Sequence, residues 1–374
     1  MSDELFDRIE QEVQCNGPGA ALHLLADRFL AEKRFSQLFE ARLMQKRLEL
    51  GLPLIQLGPS QEIPEDKRGA YQQAMIEAAR EVGSLFLGEG DIVHAWPYFR
   101  AIGERGLVKN ALAALDPAQP QADGVIDIAL GERVHPLKGL ELTIAQQGIC
   151  RAITYCEQFP DLEPREECYT LLVRSLHSEL IANLRRVIAQ HEGQAPDSGT
   201  VPELINGRAW LFGPYDSYVD TSHVVSVIRF AADLEDAGAI RLALELCEYG
   251  AHLSPHFKLR GEAPFDDLYT DYAKYLRALV GEEIEDSVAH FRRKLTPEDP
   301  QAAEVVIGLL ARLERYQEAL EVALEHLRDS PTALKLCQLA GDSTRLKELA
   351  RERGDPLSFA AGAVQAVEPS TLRR

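Results

Sequence analysis

Asp220 and His223 stand one helical turn apart, as Asp-x-x-His, at the end of a stretch of unusual composition. A carboxylate and an imidazole from one turn can converge on a divalent ion, with further ligands from other helices, or can share a proton in acid–base chemistry. The same pair has a plain structural use. Asp220 is a good N-cap, and His223 would then lie in the first turn of the helix that follows. Both readings are open at this point. A bound divalent ion needs three or more groups, so its other ligands would come from His135, His177, His252 or His256. Six of the ten histidines fall between residues 135 and 256. His252 and His256 are four apart, but Pro255 separates them and a helix is expected to stop near Ser254. His177 lies at the edge of an apolar stripe and is expected to be half-buried. His135 precedes Pro136 at an expected helix start. A divalent metal ion is the one cofactor these residues suggest.

Residues 206–223 hold Trp210, Phe212, Tyr215 and Tyr218 among glycines and a proline. Rings and helix breakers together suit a pocket wall better than a solvated linker. The familiar catalytic signatures are missing: no G-x-x-x-x-G-K-[ST], no G-x-G-x-x-G after a strand, no H-E-x-x-H and no G-x-S-x-G. Their absence argues against the commonest nucleotide-binding and hydrolase designs.

Helices must position these residues. From Arg165 to His191, Leu172, Leu176, Leu180, Leu184 and Ile188 recur every four residues, one apolar face of a long helix. Ile240 to Leu253 and Tyr316 to Leu327 behave alike. Val224 to Ile228 is β-branched, but Asp220, Thr221 and Ser222 before it favour a capped helix. Trp96, Tyr98 and Phe99 are expected to pack in a helical pair, with Pro97 as the first residue of its helix. Phe265, Tyr269, Tyr272 and Tyr275 form an aromatic band expected in the core. Asp266, Asp267 and Asp271 beside it suit a first turn, and Arg292, Arg293 and Lys294 suit a last one.

Three polar, breaker-rich stretches, 116–124, 192–199 and 296–300, read as linkers. They delimit an N-terminal helical block (1–115), a central block (125–294) carrying the aromatic loop 206–223, and a C-terminal block (299–374). Several prolines stand 31–35 residues apart with no proline between them, about the length of a helical hairpin.

Within the last block Ala319, Ala323 and Pro331 keep a four and twelve spacing, and Ala243, Cys247 and Pro255 repeat it upstream, with Ala231 twelve before Ala243. In these residues the chain resembles the tetratricopeptide-repeat family, in which small residues let two helices approach and a proline ends the second. The resemblance implies an all-α fold of helical hairpin repeats, a TPR-like α-solenoid or α/α superhelix. It also implies binding of a peptide or partner protein along a concave groove. Gly341-Asp342 and Gly354-Asp355 are expected as turns between shorter hairpins.

The chain has 374 residues, 45% of them hydrophobic, and a net charge of −19. A large core is possible, and such an acidic excess disfavours nucleic acid or an anionic membrane surface as main partner. No apolar run reaches the length of a membrane span; Leu52 to Leu57 is broken by Pro53 and Gln56. The N-terminus lacks a secretory pattern. The six cysteines show no C-x-x-C or zinc spacing and read as reduced thiols. A cytoplasmic protein without membrane insertion is expected. The leading expectation for function is a scaffold or adaptor that binds a protein or peptide. The alternative is a metal-dependent enzyme or small-molecule-binding protein built on the central His/Asp residues.

Overall fold

A computed structural model describes residues 3–55, 63–194, 196, 199–296 and 299–367. Of the expected linkers, Ala195, Asp197, Ser198, Pro297 and Glu298 lie outside the described residues, as do Gln56 and Leu57. The described residues form helices, turns and loops, with no strand. The chain divides into two compact units between Gly148 and Ile149. That division falls inside the block 125–294 that the linkers delimit, because residues 125–148 pack into the first unit.

The first unit holds α1 (Asp3–Asn16), α2 (Pro18–Ala31), α3 (Phe35–Glu49), α4 (Glu65–Gly88), α5 (Ile92–Ala101), α6 (Gly106–Ala113) and α7 (Pro136–Gln147). Each of the first six packs on its neighbour in sequence. Ala26, Leu38 and Val82 are fully buried where α2, α3 and α4 meet. Pro97 corrects one expectation: it sits inside α5, not at its start. Asp91 caps that helix by accepting the His94 N–H at 3.1 Å, so the helix begins at Ile92, five residues earlier. Trp96 and Phe99 are buried as expected.

The second unit holds α8 (Ile149–Gln158), α9 (Arg165–Glu192), α10 (Val201–Ile205), α11 (Thr221–Ala231), α12 (Ala237–His252), α13 (Leu268–Leu279), α14 (Ile284–Arg292), α15 (Pro300–Arg312), α16 (Tyr316–His326), α17 (Pro331–Ala340), α18 (Ser343–Glu352) and α19 (Pro356–Val367). The stripe on α9 is buried throughout, from Leu172 to Ile188, against α11 and α12. From α12 onward each helix packs mainly on its neighbours in sequence. Ala319 and Ala323 of α16 are wholly buried in one core with Leu309, Leu310, Leu336 and Leu349. Ala243 and Cys247 of α12 are buried to the same degree.

Part of the acidic excess caps helices. Asp236, Asp299, Asp342 and Asp355 each accept backbone N–H groups at the start of the helix that follows. Gly341, with φ +72, ends α17 directly before the Asp342 cap. Each such carboxylate satisfies donors that the helix itself leaves open and complements its dipole.

Candidate functional site

The aromatic loop is held by local chemistry at both ends. At its start Arg208 makes a two-pronged pair with Glu192 at 2.8 and 3.0 Å. Trp210 lies flat on His191, with ring centres 3.9 Å apart. At its end the fully buried Tyr249 of α12 presents its hydroxyl to the Tyr218 N–H at 2.8 Å. The Tyr218 hydroxyl donates to the Leu211 carbonyl at 2.8 Å. Burial, helped by Asp216 and Tyr249, pushes the Tyr218 phenol up to about 12. It is therefore a hydrogen-bonding anchor and not an acid or base near neutral pH. Phe212 tilts over His252 at 5.3 Å, and Tyr215 meets His256 edge-on at 6.1 Å. Tyr215 is 81% exposed, a surface ring and not a buried wall.

Four of the six metal candidates, His135, His177, Asp220 and His252, have hydrogen-bond partners of their own. His135 belongs to the first unit and caps α7, its Nδ1 accepting the Lys138 N–H at 3.4 Å. Burial first, then the charges of Lys109 and Lys138, hold its pKa below the ordinary value. His177 is half-buried as expected, but its Nε2 is 2.8 Å from Glu245 Oε2, an oxygen that also accepts the Val201 N–H at 2.8 Å. Burial pushes the Glu245 carboxyl up, yet the bonds from His177 and Val201 carry it below its usual range.

Asp220 caps α11. Its Oδ1 accepts both the Ser222 N–H at 2.8 Å and the Ser222 hydroxyl at 2.6 Å. The Ser222 hydroxyl first, then the neighbouring amides, hold its pKa down against the opposing effect of burial. His223 then falls in the first turn. Asp91 and His94 repeat the Asp-x-x-His spacing at the start of α5, where Asp91 is also the cap but accepts the His94 N–H, one residue further on than the Ser222 N–H that Asp220 accepts. His252 Nδ1 lies 2.9 Å from the Glu248 carbonyl one turn back, and α12 stops at His252, short of Pro255. Among the described residues no group of three or more His, Cys, Asp or Glu side chains is placed to hold a metal ion. The divalent-ion expectation therefore gains no assembled ligand set.

The cysteines are free. Cys156, Cys168, Cys247 and Cys337 are buried, Cys15 and Cys150 exposed. Burial raises the Cys156 and Cys168 thiols to about 12, the opposite of what an activated nucleophile requires.

One buried charge cluster escaped the sequence reading. Asp271 lies in the first turn of α13, as expected, but is only 1% exposed. Its Oδ1 is 2.7 Å from His290 Nε2, and its Oδ2 accepts from Lys294 Nζ at 2.6 Å and the Asp267 N–H at 2.8 Å. Lys294 also donates to the Pro264 carbonyl at 2.6 Å. The cluster thereby pins the loop 261–265 that walls a cleft of about 330 Å³. Phe265 stacks on Tyr272 at 3.9 Å in that wall, and Arg229 and Gln301 also line the cleft. The signal was present in the sequence. Asp271 lies one turn before Tyr275, within the apolar arc of its helix, where an acid must find a partner.

A second depression runs between α16 and α18, with a volume of about 360 Å³. Leu324 and the buried Leu349 make its floor. Its sides carry Glu321, Glu325, Glu348 and Glu352 against Arg328 and Arg345, four acids to two bases. Arg328 is already engaged by Glu352 at 3.0 Å.

No protein-family model, curated protein or solved structure matches this chain.

Proposed function

We propose that this protein is a helical-repeat scaffold of tetratricopeptide-like hairpins that docks a basic, partly apolar segment of a protein partner. The observation that carries the reading is the groove between α16 and α18. It combines an aliphatic floor with an excess of carboxylates, and one base it holds is already paired. Such a lining suits a segment that places one aliphatic side chain among lysines or arginines. The buried small residues Ala319 and Ala323, and Ala243 and Cys247 upstream, support close helix pairing of the repeat kind. The net charge of −19 adds long-range attraction for a basic partner and repulsion for nucleic acid.

Titration of a fluorescently labelled amphipathic lysine–leucine peptide tests this. Exposed ion pairs are worth about 0.2–1 kcal/mol each, so a Glu321→Gln, Glu348→Gln double variant should weaken binding about 2- to 30-fold. Added salt should weaken binding further. Equal affinity of wild type and double variant, or equal affinity for an acidic peptide of the same pattern, would refute the reading.

A further inference from the structure

The cleft walled by the loop 261–265 holds two opposite charges without ionic partners. Arg229, in the last turn of α11, and Glu262 of the loop both line it. Both are exposed. Among the described residues neither takes part in an ion pair, with the other or with any third side chain. Arg229 instead stands beside the Tyr272 hydroxyl.

The cleft is of small-molecule size. Its volume of about 330 Å³ lies at the lower end of the range for ligand pockets, about 300–1,000 Å³. The rest of its lining divides by chemistry. Leu268, Val305 and Phe265 offer apolar surface, while Tyr272 and Gln301 offer a hydroxyl and an amide. Burial pushes the Tyr272 phenol up to about 12, against the charge and hydrogen bond of Arg229. The hydroxyl therefore keeps its proton near neutral pH and can donate.

The wall is fixed before any ligand arrives. A methyl group on Gly261 would meet the Phe265 carbonyl oxygen at 1.7 Å, so only glycine lets the chain pass itself there. The Phe265 N–H donates to the Glu262 carbonyl at 2.7 Å. Lys294, anchored on the buried Asp271, holds the Pro264 carbonyl. Burying a carboxylate is costly. Here it stiffens the segment that carries Glu262, and a preformed site binds without the cost of ordering itself.

We propose that this cleft binds a free aliphatic α-amino acid, with its carboxylate on Arg229, its ammonium on Glu262 and its side chain against Leu268 and Val305. Each simpler ligand leaves one group unanswered. A plain carboxylic acid would satisfy Arg229 but carry its charge toward Glu262, and a plain amine makes the converse error. The interior of a peptide has no such pair of adjacent charges. A divalent metal ion would find one carboxylate where three or more ligands are needed. A zwitterion answers both charges, and its aliphatic side chain suits the apolar surface. Having no net charge, it is also not repelled by a chain of net charge −19.

Ligand-observed NMR titration of the full chain with L-leucine tests the proposal. The expected dissociation constant is about 0.1–1 mM, as suits so small a ligand. Isocaproate lacks the ammonium, isoamylamine lacks the carboxylate, and N-acetyl-L-leucine amide lacks both charges. Each should bind at least about tenfold more weakly than L-leucine. Glu262→Gln should abolish the preference for L-leucine over isocaproate, and Arg229→Gln the preference over isoamylamine. Both side chains are exposed, so the circular dichroism spectra should match that of the wild type. If Arg229→Gln fails to fold, Glu262→Gln decides the matter. Three outcomes would overturn the proposal: no saturation by L-leucine at about ten times the upper expected constant, analogues that bind as tightly as L-leucine, or preferences that survive both variants. The groove between α16 and α18 shares no residue with this cleft, so peptide binding there and amino-acid binding here can each fail alone.

Discussion

Asp271→Ala should be among the most destabilising single changes in the second unit. The carboxylate is 1% exposed and accepts three hydrogen bonds, two of them from His290 and Lys294. Removing one partner of a buried charge pair costs about 3–5 kcal/mol, because the other charge is left uncompensated. Here the lower end applies. Lys294 and His290 keep side-chain exposures of 22% and 21%. Lys294 also retains the Pro264 carbonyl and, at 3.2 Å, Asp266. A loss of about 3 kcal/mol corresponds to a fall in Tm of roughly 6–12 °C for a unit of this size.

The neighbouring Asp266→Ala is the control. Asp266 touches the same lysine but is 65% exposed, so its removal should cost about 0.5 kcal/mol or less. Thermal unfolding followed by circular dichroism reads both variants. Hydrogen exchange adds a local check. The Phe265 N–H, bonded to the Glu262 carbonyl at 2.7 Å, should exchange faster in Asp271→Ala, because Lys294 no longer holds the loop through a fixed ammonium. Equal melting temperatures for the two variants would refute the argument that Asp271 organises this cluster.

Three further outcomes are expected. His135 caps α7 as a neutral imidazole with its pKa held below the ordinary value of about 6.5, so the unfolded chain takes up the proton first; the stability of the first unit should fall as pH drops below about 6.5 and level off below the folded pKa. His135→Asn, which keeps a cap without a titrating group, should flatten that segment of the curve in pH-dependent denaturant melts. Gly250→Ala should cost about 1–3 kcal/mol by overpacking, since the added methyl would meet the Tyr269 ring at 2.1 Å; an unchanged denaturation midpoint would mean that α12 and α13 do not approach so closely. Asp220→Ala should cost about 0.5–2 kcal/mol through the lost cap, and metal analysis of the wild-type protein purified without a histidine tag should find no ion that Asp220→Ala releases.

Helices and their ends were legible because their causes are local. The four-residue spacing from Leu172 to Ile188 requires one buried face whatever lies opposite, and all five residues are buried. Asp236, Asp342 and Asp355 precede helices and bond amides two or three residues on, so the information sits in a handful of adjacent residues. Where a local pattern admitted two uses, the sequence could not choose. Asp220 and His223 have the residue types of a metal site and of a capped first turn alike. The choice rests on whether other ligands arrive from distant helices, and His177, one of the candidates, is engaged by Glu245, 68 residues away.

The packing of one helix on another decided the rest. Asp271 and His290 are 19 residues apart on α13 and α14, and nothing in either helix alone says that they meet. Arg312 of α15 donates to the carbonyls of Ala232 and Leu234 beyond α11, a contact that no spacing rule contains. Hydrophobic periodicity states which side of a helix is buried but leaves open its rotation and offset against its neighbour. Charge pairs and clefts depend on those two quantities, and only the folded chain sets them.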